Sequence, residues 1–198
     1  MRTFLICIGG LLLAATLHAQ ARHWGVTIEA SELRFHGTSA DTSSEGAGSF
    51  RPYRPTAVGL RVERGGAVRL GLGVLYGSGP AALTGPDVTI AAETDPLTLL
   101  ELAPSISVHV TRIGSGSLRL AGGPVVDRWA WSVAPTRWRV GGEISAGLEA
   151  PLGAASGLVV RVGLARSASV LEEADLPATF ARRASWRRSV ALGLLLRR

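Results

Sequence analysis

Apolar and polar residues alternate along most of the chain with a period of two. In "AVRLGLGVLYG" (67–77), Val68, Leu70, Leu72, Val74 and Tyr76 share one parity, and Arg69, Gly71, Gly73 and Leu75 share the other. Successive side chains of a β-strand point to opposite faces, so this spacing makes a strand with one aliphatic face. The alternation recurs and predicts eight strands, at about 23–34, 55–64, 67–77, 97–112, 117–128, 137–150, 157–167 and 186–197. After residue 22 no segment sustains the apolar period of an amphipathic helix.

The two faces differ in kind. One is nearly all aliphatic: Val58, Leu60 and Val62; Leu100, Leu102, Ile106, Val108 and Val110; Val140, Ile144, Ala146 and Leu148; Val190, Leu192, Leu194 and Leu196. The other carries Gly, Ala and Ser mixed with charges: Glu29, Arg61, Glu63, Arg69, Glu101, Arg119, Asp127, Arg139, Glu143, Glu149 and Arg161. A wet sheet face would show Lys, Gln and Asn, yet Lys and Asn are absent and Gln occurs only at position 20. Small residues among opposite charges suit the crowded interior of a narrow barrel, with the aliphatic face turned to lipid. Turning an arginine to lipid instead would cost about 2–4 kcal/mol at the bilayer midplane. The expected fold is an all-β, up-and-down antiparallel transmembrane β-barrel of eight strands.

The connections support this. "RGG" (64–66), "GSGS" (114–117) and "PLGAASG" (151–157) are tight, 35–54, 78–96 and 168–185 are long, and the stretch 129–136 is intermediate. Short turns at one end and long loops at the other are the rhythm of an outer-membrane barrel, with both termini on the short-turn, periplasmic side. Trp24, Tyr53, Tyr76, Trp138 and Trp186 fall at strand ends, where amphipathic rings mark the two membrane interfaces. Pro104 and Pro124 fall mid-strand, where each removes a ladder donor. Folding the 112–118 hairpin brings them nearly opposite each other, which predicts a local bulge or widened ladder shared by two strands. Phe35, Trp129 and Trp131 sit on the interior parity, which assigns them to loops or to a phase shift at a bulge.

The first residues add the route. Arg2, the run "FLICIGGLLLAATL" and the small-residue end "HAQA" predict a signal peptide over 1–21, leaving a mature barrel domain over 22–198. Cys7 is the one cysteine and lies in that leader, so disulfides, thiolate catalysis and cysteine metal sites are excluded from the mature chain. The formal charge of +6 includes Arg2 and is carried by arginines scattered along the chain, which argues against a nucleic-acid partner.

With the leader, the long/short rhythm, stretches such as "LLELAPSISVHV" and "RLAGGPVVDRW", and the final strand "WRRSVALGLLLRR", the chain resembles the small eight-stranded outer-membrane β-barrel proteins of Gram-negative bacteria, of the OmpX and OmpA-barrel type. The resemblance covers the mature chain and is architectural. It implies a monomer in the cell outer membrane, in contact with lipid and lipopolysaccharide and inserted by the barrel-insertion machinery. It also implies a structural or surface-interaction role through the outer loops, with no enzymatic activity and no cofactor. A final aromatic residue is usual in such barrels, whereas this chain ends "LLLRR".

Two alternatives use the same residues. The interior charges read first as a salt-bridged plug and second as a narrow ion-conducting path. A barrel-embedded lipid-modifying enzyme would need a Ser/His pair; His109 lies on the interior parity, but no adjacent motif accompanies it, and no spacing of His, Asp and Glu suggests a metal site. Arg182, Arg183, Arg187 and Arg188 surround Trp186 and are candidate lipopolysaccharide contacts. "LEEADLP" (171–177) reads as a solvated acidic outer loop, and "ADTSSEGAGS" (40–49) as a flexible exposed one. Arg69 needs an inward carboxylate, and Glu63, across the "RGG" turn, is the first candidate.

Overall fold

The chain is folded as antiparallel strands in a computed structural model that describes residues 23–41, 48–84, 89–132, 134–176 and 178–198. The predicted leader with Cys7 lies outside the described residues, as does most of the segment 40–49. The strands are β1 (His23–Asp41), β2 (Ser49–Pro52), β3 (Thr56–Gly65), β4 (Val68–Thr84), β5 (Thr89–Ile113), β6 (Gly116–Trp131), β7 (Ala134–Pro151), β8 (Ser156–Ser167) and β9 (Phe180–Arg197). β1 pairs with β3 and with β9, β3 with β4, β4 with β5, and each later strand with the next, so hydrogen bonding closes a ring of eight.

The extra strand, β2, is not a ninth stave. β2 pairs with the far end of β4, directly in line with β3, so β2 and β3 share one position in the wall. The sequence between them explains the break. "RPYRP" (51–55) holds two prolines without N–H donors, and Arg54 adopts φ 41°. The gap is spanned by Tyr53 N–H donating to Pro80 O at 2.8 Å and Leu33 N–H donating to Pro55 O at 3.0 Å.

Alternation orients the wall. Leu70 and Val140 are 63% and 68% exposed on the outside, while Glu101 and Asp127 are both 3% exposed inside. The tight turns lie at one end, and Gly65 carries one of them at φ 143°, where a Cβ would stand 2.2 Å from Val68 O. Interior glycines serve a different purpose: Gly59 and Gly71 leave room for the Glu29 and Glu63 stems, whose Cγ atoms would lie 3.1 and 3.0 Å from an added Cβ.

Three expectations are corrected. The long connections predicted at 35–54 and 78–96 are largely wall: β1 runs on to Asp41 and pairs with Phe180, and β4 and β5 stay paired as far as Thr84 and Thr89. The intermediate connection predicted at 129–136 shrinks to the two residues between Trp131 and Ala134. At the prolines the expected opened ladder is present without a bulge: Leu102 pairs with Val126 and Ile106 with Gly122 in one register, so Pro104 and Pro124 stand opposite each other with the ladder interrupted and no residue inserted. The bulge in this hairpin lies lower, between His109 and Thr111. His109 is accordingly exposed at the short-turn end, where its N–H donates to Ala67 O at 2.8 Å, and it does not enter the interior.

Candidate functional site: the barrel interior and its capped mouth

The interior is layered. Nearest the short turns, Glu149 binds Arg69 through Nη1–Oε1 at 2.6 Å and Arg197 through Nη2–Oε2 at 2.9 Å, and Arg119 approaches to 4.0 Å. Arg119 also donates to Ala67 O at 3.0 Å and Gly66 O at 3.3 Å, tying the β3–β4 turn to the charge cluster. Glu63 is the second partner of Arg69, at 3.5 Å; the first is Glu149, from the opposite wall. Closure brings the two walls together, a proximity that a local hairpin argument does not reach.

At mid-height Arg161 faces Glu29 at 3.7 Å, and Arg61 donates to Ser105 Oγ at 3.1 Å. Above them Arg187 sits among Glu101, Glu143 (3.1 Å) and Asp127 (3.9 Å), its contact with Glu101 being the tightest. Arg187 was expected to face lipopolysaccharide. It is instead 5% exposed and points inward, because it has the parity opposite to Trp186 and Arg188. Arg182, Arg183 and Arg188 are exposed, and Arg182 pairs with Glu172 at 2.9 Å.

The upper interior changes character. Leu33, Phe35, Ala57, Ala81, Leu97, Leu99 and Trp129 form a buried apolar cluster with Val170 and Leu171. Phe35 and Trp129 meet edge-to-face with centroids 5.4 Å apart. Both rings belong to strands, and Trp131 packs tilted against Phe50 at 6.1 Å near a register shift in β6. Val170 and Leu171 come from the β8–β9 connection, which folds across the mouth as a strap around a single 3-10 turn, Glu173–Asp175.

Two interior arginines latch this strap. Arg137 donates to Asp175 Oδ1 at 2.8 Å, contacts Oδ2 more closely, and donates to Val170 O at 3.1 Å. Arg139, expected in the central charge network, lies higher; it binds Glu172 and Ser169 O. Ser169 Oγ donates to Thr38 O at 2.8 Å. Asp175 titrates below its ordinary range, chiefly because Arg137 hydrogen-bonds its carboxylate. The acidic stretch read as a solvated loop is therefore the seat of the latch. Parity alone does not reveal the latch: Arg137 and Arg139 share the interior parity of β7, but Arg139 stands directly opposite Asp127 of β6, which points to a partner in the wall and not in the strap.

What remains of the lumen is small. A cavity of about 20 Å³ lies between Glu29, Arg61 and Arg187, and another of about 10 Å³ lies under Val170 and Leu171. The first has room for about one water. The aromatics take several settings. Trp24, Tyr76, Trp138 and Trp186 are exposed on the outer wall, with Arg64 over the Trp24 ring at 5.1 Å and Arg166 over the Trp186 ring at 5.5 Å. Tyr53 lies in the break between β2 and β3, with Arg54 over its ring at 5.5 Å.

A closed eight-position ring, apolar outside and charged inside over its lower part, defines the class: the fold is that of the small outer-membrane β-barrels. Solved structures of three such proteins are similar to it. The attachment invasion locus protein Ail of Yersinia pestis aligns with TM-score 0.55 at 9% identity, over 90% of this chain and 100% of that one. Neisserial surface protein A aligns with TM-score 0.54 at 12% identity, over 87% and 96%. The outer membrane protein OprG from Pseudomonas aeruginosa aligns with TM-score 0.53 at 9% identity, over 91% and 97%. No protein-family profile matches the chain, and no curated protein sequence matches it.

Proposed function

We propose that this protein is an integral, monomeric, non-enzymatic barrel of a bacterial outer membrane, with a side-chain-filled lumen and its working surface at the capped outer end. In this reading residues 1–21 are removed on export and 22–198 form the barrel, which the barrel-insertion machinery places in the membrane. The observation that carries it is the outer wall. Ile28, Val58, Leu70, Val140, Ile144 and Val190, from five different strands, are each more than half exposed, an apolar belt that water would not tolerate. The interior supports a plug over a pore, because opposite charges interlock across it and the mouth is filled by the strap. The wall continues past the belt and ends in the strap, which suits a structural or surface-interaction role.

Outer-membrane fractionation with heat-modifiable gel migration tests the location and fold. The expected result is a detergent-requiring species that migrates faster unboiled. A water-soluble protein overturns the reading. Planar-bilayer recording tests the plug: the expected trace lacks discrete conductance steps, and regular steps favour the ion-conducting alternative.

A further inference from the structure

Above the apolar belt the outer face is not uniform around the barrel. Two successive outward rungs run across β8, β9 and β1. The lower rung is Leu164, Arg188 and Arg34; the upper is Arg166, Trp186 and His36. Arg34, His36, Arg166, Trp186 and Arg188 are all exposed. Arg34 and Arg188 are direct cross-strand partners on one face, an arrangement that is unfavourable for like charges. Arg34 has one carboxylate, Glu32 at 2.9 Å, while Arg188 and Arg166 have none among the described residues. Arg166 is held over the Trp186 ring, and Arg51 reaches in from β2 to donate to Phe35 O at 3.0 Å, beside His36.

Beneath this grid the rung Val162, Val190 and Glu32 carries the carboxylate that pairs with Arg34, and below it the same three strands carry an apolar column: Val160, Leu192 and Ala30, then Leu158, Leu194 and Ile28. On the adjoining strands β7, β6 and β5 the outward rung at the Trp138 interface is Trp138, Arg128 and Leu100, with a single cation. The concentration of charge is therefore local and lies above an aliphatic strip.

We propose that this grid binds the phosphate groups of an outer-leaflet glycolipid, with its acyl chains lying on the column below. The inference rests on the outer-membrane reading; of the expected contacts Arg182, Arg183, Arg187 and Arg188 it keeps Arg188 and joins it to Arg34, His36 and Arg166 on the two neighbouring strands. A phosphate between Arg34 and Arg188 turns their repulsion into two charge-assisted contacts, and guanidinium forks match its oxygens. Arg166 and His36 flank the Trp186 indole, which lies at headgroup level and offers its face to a sugar ring. Soluble anions lack the chains that the aliphatic strip accommodates, which favours a lipid occupant.

The test uses the full chain in phosphatidylcholine nanodiscs doped with diphosphorylated lipid A, with its dephosphorylated form, or with phosphatidylglycerol. Lipid retained by the purified protein is counted by native mass spectrometry. The triple variant Arg34→Gln, Arg166→Gln, Arg188→Gln is compared with wild type and with the control pair Arg112→Gln, Arg128→Gln. The expected result is retention of the diphosphorylated lipid alone, about ten-fold lower in the triple variant and unchanged in the control. Equal retention by wild type and triple variant overturns the site. Equal retention of the dephosphorylated lipid or of phosphatidylglycerol overturns the phosphorylated-glycolipid assignment. Capture of a soluble sulfated polysaccharide through these arginines, without lipid retention, also overturns it. Heat-modifiable migration of every variant, with wild type in the outer-membrane fraction, keeps a failed site distinct from a failed outer-membrane reading.

Discussion

The lower and upper halves of this barrel are inside-out copies of each other. In the lower half of β1, Ile28 and Ala30 face outward while Glu29 and Ser31 are buried; two rungs higher, Glu32 and Arg34 face outward while Leu33 and Phe35 are buried. The alternation never slips between these halves, but the apolar parity changes sides. The lower half is a membrane-type wall around polar side chains. The upper half is a wet-walled barrel around an ordinary apolar core, closed by Leu171. One continuous set of strands therefore serves two solvents, and the handover lies at the level where Arg187 gathers Glu101, Asp127 and Glu143.

Substitutions that strike each half on its own terms sharpen this contrast. The largest effect is expected from Arg187→Ala, which leaves the buried Glu101 and Asp127 and the half-buried Glu143 without their common cation. Removing one member of such a network costs about 3–5 kcal/mol, read as a fall in the denaturant midpoint of the refolded barrel. A cost near zero would mean the charged half is not interlocked. Next comes Trp129→Ala in the apolar half, at about 3 kcal/mol from lost burial and residual cavity. Leu171→Ala should follow at about 2 kcal/mol and should also speed protease cleavage of the strap; an unchanged cleavage rate would break the picture of a packed cap.

Asp175→Asn is smaller, up to about 1 kcal/mol, because the latch lies at the solvent edge. Its pH dependence has a definite sign. The carboxylate titrates lower in the folded protein than in the unfolded chain, so its contribution is present above the ordinary carboxylate range and fades as pH falls through the depressed value. Strap proteolysis by an acid-active protease should therefore rise only at low pH in the wild type and lose that dependence in Asp175→Asn. The smallest effect is expected from Val140→Ala on the lipid-facing wall, within about 0.5 kcal/mol in bilayers, since neighbouring lipid refills the space.

The same inversion explains what the sequence disclosed and what it withheld. A single apolar parity with charges opposite it was legible wherever one rule held, and it located every stave and the facing of Glu29, Arg61, Glu101 and Asp127. Predicted strands such as 23–34 stopped where the apolar parity changes sides, because the next residues look like loop when judged by the lower rule. The segment "HGTSAD" (36–41) reads as polar on both parities, yet it is held as strand through its pairing with β9. Arg187 is legible by parity alone; grouping it with Arg182, Arg183 and Arg188 around Trp186 obscures its inward facing. The partnership of Arg69 with Glu149 and the docking of Glu172 and Asp175 onto Arg139 and Arg137 depend on ring closure and loop return, and no local pattern encodes them.

The facing prolines bear on how the wall moves. Pro104 and Pro124 share a rung, and neither has an N–H to give. Gly123, beside them, has no side chain to prop the strands apart, and a Cβ there would stand 2.0 Å from Pro104 O. The β5–β6 seam is thus cross-linked above and below this level and thinly at it. In hydrogen exchange it should show as a short run of early-exchanging amides within an otherwise slow belt, a crease along which the cross-section of the cylinder can become oval without any strand parting from its neighbour.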